Sequence, residues 1–554
     1  MLAYNNLGAV LLSQGKTDEA ITQFEKAMEL EPDLAMAHNN LGNALRQKGD
    51  WEGAADSFRR CLELSPDIAE VHRSLGSVLQ EQGKIEEAAA ACRRALDLAP
   101  SPGIEVKLAT LLPRIPESKE ALIRARRRFG AAVDALSKKG LSLDDPYKEV
   151  GATNFYLAYH GMNDRDLQQA VARLYLKACP SLAWSAPTPA REGRTRLRLG
   201  FISRYFREHA VGWSYRGVIE RLDRARFEVV VFTFDDKADT LTREIRTSAD
   251  RAVTLPKDLA RARDAIAAQA LDVLVYTDIG MDPLTYFLAF ARLAPVQCVM
   301  AGHPVTTGIP NLDYFISNEL SEPVGAEDHY SETLVRLASS PVYYSRPSPP
   351  AQLRTREDFG FGASEHLYAC PQTLFKFHPD FDALLAAILR RDGAGRLVLI
   401  EDKIPARTKP LACRLADSMP DVIDRVCWLP RLNFDDFLSL LIVADVLLDP
   451  LHFSGGNTTR QSLAFNKPVV TLPGDFMRGR ISYGQYRRTG LTDCVAKDAD
   501  DYVDIAVRLG TDPDWRHEVE QRIAAASPVL YENPGGMREL EEFFLTVAAK
   551  AGVR

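Results

Sequence analysis

The stretch Asp449-Pro-Leu-His-Phe-Ser-Gly-Gly-Asn-Thr-Thr-Arg460 decides the fold. A short apolar run, 446–448, precedes it and reads as a buried strand; an amphipathic segment, 459–465, follows and reads as a helix. Strand, glycine-rich loop and helix in that order make half of a βαβ unit, from which parallel sheets are built. Gly455 and Gly456 let the backbone approach a ligand closely. Asn457, Thr458 and Thr459 stand where the helix begins, so unpaired N–H groups and two hydroxyls face outward, a combination that receives phosphate. The plainer alternative is a glycine turn followed by a threonine N-cap. The Gly-Lys-Ser/Thr ending of a P-loop is missing.

The alternation continues around this stretch. Strands are predicted at 366–370, 397–401, 422–428, 446–448 and 468–472, with helices at 379–391, 407–418, 435–443, 459–465 and 479–489. Residues 339–365 read as a linker, with prolines at 341, 347, 349 and 350. Upstream lies a second series, with strands at 197–203, 227–234, 271–277, 296–300 and 314–317 and helices at 212–224, 238–248 and 258–269. The domains are therefore set at 197–338 and 366–535, with a C-terminal helix over 536–554. Two doubly wound sheets leave a cleft between them, and ligands bind such sheets at the carboxyl ends of the strands. Lys376, just after the first strand of the second sheet, is placed to neutralise a diphosphate; Asp402 and Lys403 follow another strand. His209 lies in the loop after the first strand of the first sheet, at the edge of the cleft. His303 sits on the glycine-rich loop 301–308, and His160 ends a segment, 149–160, that reads as helical. For each histidine a purely structural role is the alternative.

The N-terminal part follows a different rule. Residues 2–35, 36–69 and 70–103 align at a period of 34, with matched columns Leu7/Leu41/Leu75, Gly8/Gly42/Gly76, Gly15/Gly49/Gly83, Ala20/Ala54/Ala88 and Pro32/Pro66/Pro100. This is the tetratricopeptide pattern, in which small residues bring two helices together and proline stops the second. No unit buries its own apolar face, so the three stack into a superhelix with a concave groove. Residues 104–180 read as a helical extension, with segments at 116–138, 149–160 and 164–178. The run Arg124, Arg126, Arg127, Arg128 reads as a solvated face, and 181–196, with Pro187 and Pro189, as a linker.

Composition narrows the classes. With 46% hydrophobic and 26% charged residues, the 554-residue chain is neither largely disordered nor collagen-like. No apolar run is long enough for a membrane span, and the first residues lack the basic and apolar regions of a signal peptide. Lys plus Arg is 68 against 75 Asp plus Glu, a net charge of −7, which argues against a nucleic-acid partner but not against a local phosphate pocket. Eight cysteines without C-x-x-C spacing read as buried reduced thiols in the cytoplasm. The histidines are scattered and no H-E-x-x-H occurs, so no metal site is expected.

Three repeats, two Rossmann-like halves and the string Gly455-Gly-Asn-Thr-Thr459 with Lys467-Pro-Val-Val-Thr-Leu-Pro-Gly474 resemble the O-linked N-acetylglucosamine transferases, glycosyltransferase family 41, which have the GT-B fold. Gly302-His-Pro-Val-Thr-Thr-Gly308 followed by Asp313-Tyr314 is a second matching string, and the short repeat array resembles bacterial members. The resemblance implies an inverting, metal-independent transfer of N-acetylglucosamine from UDP-GlcNAc to Ser or Thr hydroxyls of proteins. It implies no cofactor beyond that donor, a protein or peptide acceptor in the repeat groove, no nucleic-acid or membrane partner, and it admits a homodimer. By this resemblance Lys376 contacts the diphosphate, Thr458 and Thr459 the phosphates, Gly302 and Pro304 the sugar, and Leu432, Phe434 and Phe437 the uracil. His209 lies by donor and acceptor, His160 matches a second histidine proposed as base, and Asn6 and Asn40 grip peptide backbone, a ladder that Ser74 breaks. The sequence departs at Gln461, where an acid on the ribose is common, at Tyr205, in place of an Asp, and at His303, in place of a Tyr. Another GT-B donor or acceptor, or a non-enzymatic repeat scaffold, are the competing readings.

Overall fold

The computed structural model describes residues 1–187, 193–234 and 238–552. They fall into two compact units: one holds 1–114, 124–144 and 148–150, the other 115–123, 145–147 and 151–554. The predicted linker at Pro189 lies outside the described residues.

In the first unit the period of 34 becomes three helix pairs, Leu2–Ser13 with Thr17–Leu30, Ala35–Lys48 with Trp51–Leu64, and Ala69–Glu81 with Ile85–Leu98. The glycine column is explained by what faces it. A Cβ on Gly8 would stand 2.6 Å from the Phe24 ring, one on Gly42 2.7 Å from Phe58, and one on Gly76 2.9 Å from Cys92 Sγ. Glycine inside a helix costs about 0.5–1 kcal/mol against alanine. Full burial of Phe24 or Phe58 offsets this, at roughly 1.5–3 kcal/mol per side chain. Ala20, Ala54 and Ala88 are fully buried between the same helices.

The second unit contains two parallel sheets. The first comprises β1 (Leu197–Ile202), β2 (Phe227–Thr233), β3 (Arg251–Thr254), β4 (Val273–Tyr276), β5 (Val296–Met300), β6 (Tyr314–Asn318) and β7 (Thr333–Leu337), in the order β3-β2-β1-β4-β5-β6-β7. The second comprises β8 (His366–Ala369), β9 (Gly395–Ile400), β10 (Val426–Leu429), β11 (Val446–Leu448) and β12 (Val469–Val470), in the order β10-β9-β8-β11-β12. Every pairing of these strands is parallel. The strand order reverses between β1 and β4 and again between β8 and β11, the switch points where such sheets bind ligands. The chain is thus a tetratricopeptide array followed by a GT-B arrangement of two Rossmann-like domains. The helix Pro534–Lys550 returns to the first sheet, where Met537, Leu540 and Phe544 enter its core.

Several local expectations need correction. β3 and β7 are absent from the predicted strands because both are edge strands with half-exposed residues and no apolar run. The segment 149–160 is not a helix: only a single 3-10 turn, Phe155–Tyr159, forms, and His160 ends it. The strand predicted from 422 starts at Val426, after a 3-10 turn over Ile423–Arg425. None of the eight cysteines is in a disulfide, and all but Cys413 and Cys427 are buried. Among the described residues no helix is long and apolar enough to cross a membrane.

Candidate active site

A cavity of about 620 Å³ lies between the two sheets of the second unit, at the carboxyl ends of β1, β4, β8, β9 and β11. Of the residues singled out from sequence, His209, Gly302, Pro304, Lys376, Leu432, Phe434, Phe437, Gly456, Asn457 and Thr458 line it. Lys376 is held by Gln372 Oε1 at 2.8 Å and the Ser454 carbonyl at 3.2 Å, with its Nζ 4.9 Å from the centroid of the Phe453 ring. Burial pulls its pKa down to about 8, against the opposing field of Asp449. Asp449 is itself buried at the end of β11, and burial pushes its carboxyl up to about 6. It shapes the glycine loop by accepting the Gly455 N–H at 2.6 Å and the Thr471 hydroxyl at 2.7 Å. A Cβ on Gly455 would lie 2.6 Å from Thr459 Oγ1 and 2.9 Å from Gln372 Nε2, so only glycine fits there.

Two helices point their N-termini at this cavity. In Ala210–Arg221 the cap is His209, whose Nδ1 accepts the Val211 N–H at 3.2 Å. Burial and Arg207 depress His209 to about 4, so the ring is neutral near pH 7. With Nδ1 accepting, the neutral ring carries its hydrogen on Nε2 and offers the cavity a donor, not a base. In Asn457–Ala464 the cap is Gly456, and no side chain among the described residues caps the first N–H groups. Nearby, Gln485 Oε1 and Arg488 Nε are buried at the cavity wall and find no partner among the described residues. Both atoms have hydrogen-bonding capacity to spare on the cavity wall.

The cavity thus lies at the carboxyl ends of two parallel sheets, where such folds bind ligands. The profile of Glycosyl transferase family 41 matches residues 168–343 and 347–530, and tetratricopeptide profiles match 1–67 and 42–101. The chain belongs to glycosyl transferase family 41. A tomato relative, the "Probable UDP-N-acetylglucosamine--peptide N-acetylglucosaminyltransferase SPINDLY" of Solanum lycopersicum, is 26% identical over 396 residues, 66% of this chain and 40% of the relative. The "UDP-glucose:protein N-beta-glucosyltransferase" of Actinobacillus pleuropneumoniae is 27% identical over 289 residues, 51% of this chain and 45% of the relative. The chain spans less than half the length of these curated relatives. A solved structure, that of a mutant of the Thermobaculum terrenum O-GlcNAc transferase, superposes with a TM-score of 0.72 at 25% identity, covering 99% of this chain and 97% of that one.

In this family 41 chain four of the catalytic and nucleotide-sugar residues expected from sequence stand outside the cavity lining: His160, Gly455, Thr459 and Gln461. The Thr459 side chain faces away from it. The helix begins at Asn457, so Thr459 already lies in its first turn, and its hydroxyl turns inward to the Gly455 carbonyl at 3.2 Å and Ser482 Oγ at 2.8 Å. Gln461 is buried, with its side chain hydrogen-bonded to Tyr344. His160 is buried as well. Asn457 lines the cavity, but its amide bridges the two halves, donating to the Ala210 carbonyl at 2.9 Å and accepting from Ser214 Oγ at 3.1 Å. Gly302 has a backbone reason for its identity, since a Cβ there would lie 1.7 Å from the Thr277 carbonyl oxygen. His303 is buried and stacks on Phe155 at 4.9 Å, and burial pushes its pKa down to about 3. Tyr205 packs its ring 4.5 Å from His209 and donates its hydroxyl to the Met281 carbonyl.

In the first unit Asn40 donates to Asn5 Oδ1 at 2.9 Å, while Asn6 is exposed and Ser74 buried. The two predicted ladder residues therefore differ, Asn40 being bonded across the first helices of adjacent repeats and Asn6 open. Sequence reading also missed Gln372, Arg431, Gln485 and Arg488 on the cavity wall. Gln372 carries a usable signal, its position two residues past the strand end at Cys370. Gln485 and Arg488 carry none, because a helix far along the chain delivers them. The expectation of no metal cluster also fails to anticipate one grouping: His378, Asp380 and His452 offer ligand atoms within 4.8 Å of one another.

Proposed function

We propose that this chain is a protein O-glycosyltransferase that moves N-acetylglucosamine from UDP-GlcNAc to Ser or Thr hydroxyls with inversion, without a metal in the reacting site. The observation that carries the reading is the joint placement of the Lys376 ammonium and the uncapped N-terminus of Asn457–Ala464 on one cavity wall. Breaking the sugar–phosphate bond leaves negative charge on the departing UDP. A preorganised donor aimed at such charge contributes about 3–4 kcal/mol, and this wall supplies a cation, open N–H groups and the Thr458 hydroxyl together. Phe434 lies nearly parallel to Trp213, ring centroids 6.4 Å apart, at the exposed mouth, where flat apolar faces suit a nucleobase. His209 donates through Nε2–H to the donor substrate, and a phosphate oxygen of that donor takes the acceptor's proton. The concave repeat face around Asn40, Asn43 and Arg46 is the proposed acceptor groove. Mostly buried cysteines outside any disulfide accord with a cytoplasmic setting.

Calorimetric titration of UDP into the full chain, with no divalent metal added, tests the reading. Binding lost in Lys376→Ala supports it. No binding in a sample shown to be folded refutes it and leaves the repeat scaffold as the function. A second reading, UDP-glucose as donor, is favoured by the Actinobacillus relative's name and comparable identity. Turnover across a panel of UDP-sugars decides between the two.

A further inference from the structure

Next to the phosphate loops, but outside the cavity lining, three potential ligands converge. His378 comes two residues after Lys376 and caps the helix Pro379–Arg391. Asp380 lies in the first turn of that helix, and His452 is in the loop after β11. Both imidazoles address the same carboxylate oxygen: His452 Nε2 stands 3.0 Å and His378 Nδ1 3.4 Å from Asp380 Oδ2. Zinc bonds of about 2.0–2.1 Å at tetrahedral angles require ligand atoms roughly 3.3 Å apart, and both separations fall near that value. We infer that His378, Asp380 and His452 form a three-ligand site for a zinc-class divalent cation. Two imidazoles and one carboxylate are the donor mix that zinc takes, with the fourth position left to water.

His378 Nδ1 accepts the Asp380 N–H at 3.1 Å, a helix-cap bond that a bound ion displaces when it takes the same lone pair. His452 holds its ring in place at a cost: its φ is +68°, and a Cβ on Gly161 would lie 2.7 Å from that ring. Lys119 is the competing cation, its exposed ammonium 2.9 Å from Asp380 Oδ1 and 3.1 Å from Oδ2. A divalent ion displaces this solvent-facing side chain and pins the loop carrying Lys376 to the loop carrying Ser454.

The test uses Zn²⁺ alone, titrated into the full chain against a chromophoric chelator, and Co²⁺ as a spectroscopic substitute. One equivalent of tightly held zinc and an intense tetrahedral d–d spectrum without a thiolate charge-transfer band are expected. His378→Asn keeps a helix cap, and His452→Asn suits positive φ; each lowers affinity at least tenfold while circular dichroism shows the fold retained. Lys119→Met removes the competitor and tightens binding. Absence of stoichiometric uptake overturns the site. So does uptake unchanged in both histidine variants, or a thiolate band, either of which puts the ion on other residues.

Discussion

Two helix N-termini face the same cavity and are finished differently. Ala210–Arg221 is capped by His209, whose ring nitrogen answers the Val211 N–H. Asn457–Ala464 begins after a glycine and has no side-chain cap. An α-helix leaves four N–H groups without intrahelical partners, and the partial positive charge there attracts anions. Where the protein fills that role itself, the helix end serves as structure and presents a neutral ring. Where it leaves the role open, the proposed diphosphate ligand would complete the cap. The cation follows the same division, since Lys376 stands on the side of the open end, bonded to Ser454 of the loop that leads into that helix.

The largest expected effect tests the open end's cation. Lys376→Ala should reduce turnover by about 10²–10³-fold, the range for removing one preorganised donor to developing charge. Melting temperature should hold, because a cation whose pKa burial has depressed contributes little to folding. A loss of turnover accompanied by unfolding would mean the lysine is structural.

Next comes a change that makes the two helix ends alike. Gly456 has φ −101°, and a Cβ there meets nothing closer than Ile481 Cγ2 at 3.9 Å, so a side chain fits. Gly456→Asp supplies a cap and a negative charge at the proposed phosphate site. UDP affinity should fall by more than tenfold while stability rises by about a few tenths of a kcal/mol. Unchanged UDP binding would place the phosphates elsewhere.

A pH titration sharpens the same contrast. The Lys376 pKa is lowered to about 8 in the free protein, and a bound diphosphate raises it. Binding is therefore fully supported below pH 8 and weakens as pH rises through 8, by up to about tenfold per unit. His209, depressed to about 4, stays neutral throughout that range and should add no inflection between pH 6 and 9. A break near pH 6.5 that His209→Gln abolishes would return the histidine to the role of base.

How much of this was legible in the sequence depends on distance along the chain. β2 is buried on both faces and announces itself as one apolar run, whereas β3 and β7 sit at sheet edges and carry no such run. Lys376 and Thr458 could be singled out because a strand end or helix start lies within a few residues. Thr459 shows the limit of that reasoning. Moving the helix start from 459 to Asn457 turns its hydroxyl from the ligand side to Ser482. Gln485, Arg488 and the His378–His452 pairing depend on contacts between segments far apart in sequence, which no local pattern records.

The smallest effect separates the two neighbouring threonines. Thr458 lines the cavity, and Thr459 is buried between the Gly455 carbonyl and Ser482. Thr458→Ala removes one hydroxyl donor to phosphate, worth about 0.5–1.5 kcal/mol, so UDP affinity should fall a few-fold with the melting temperature unchanged. Thr459→Val keeps the shape but leaves Ser482 Oγ and the Gly455 carbonyl each one partner short in a buried setting, at about 1–3 kcal/mol of stability. Its melting temperature should drop, and its UDP affinity should suffer only as far as the glycine loop loosens. The opposite pattern, with Thr459→Val hurting binding in a protein of full stability, would mean that the loop rearranges on binding and presents the second hydroxyl. The open helix end would then be built by the ligand and not waiting for it.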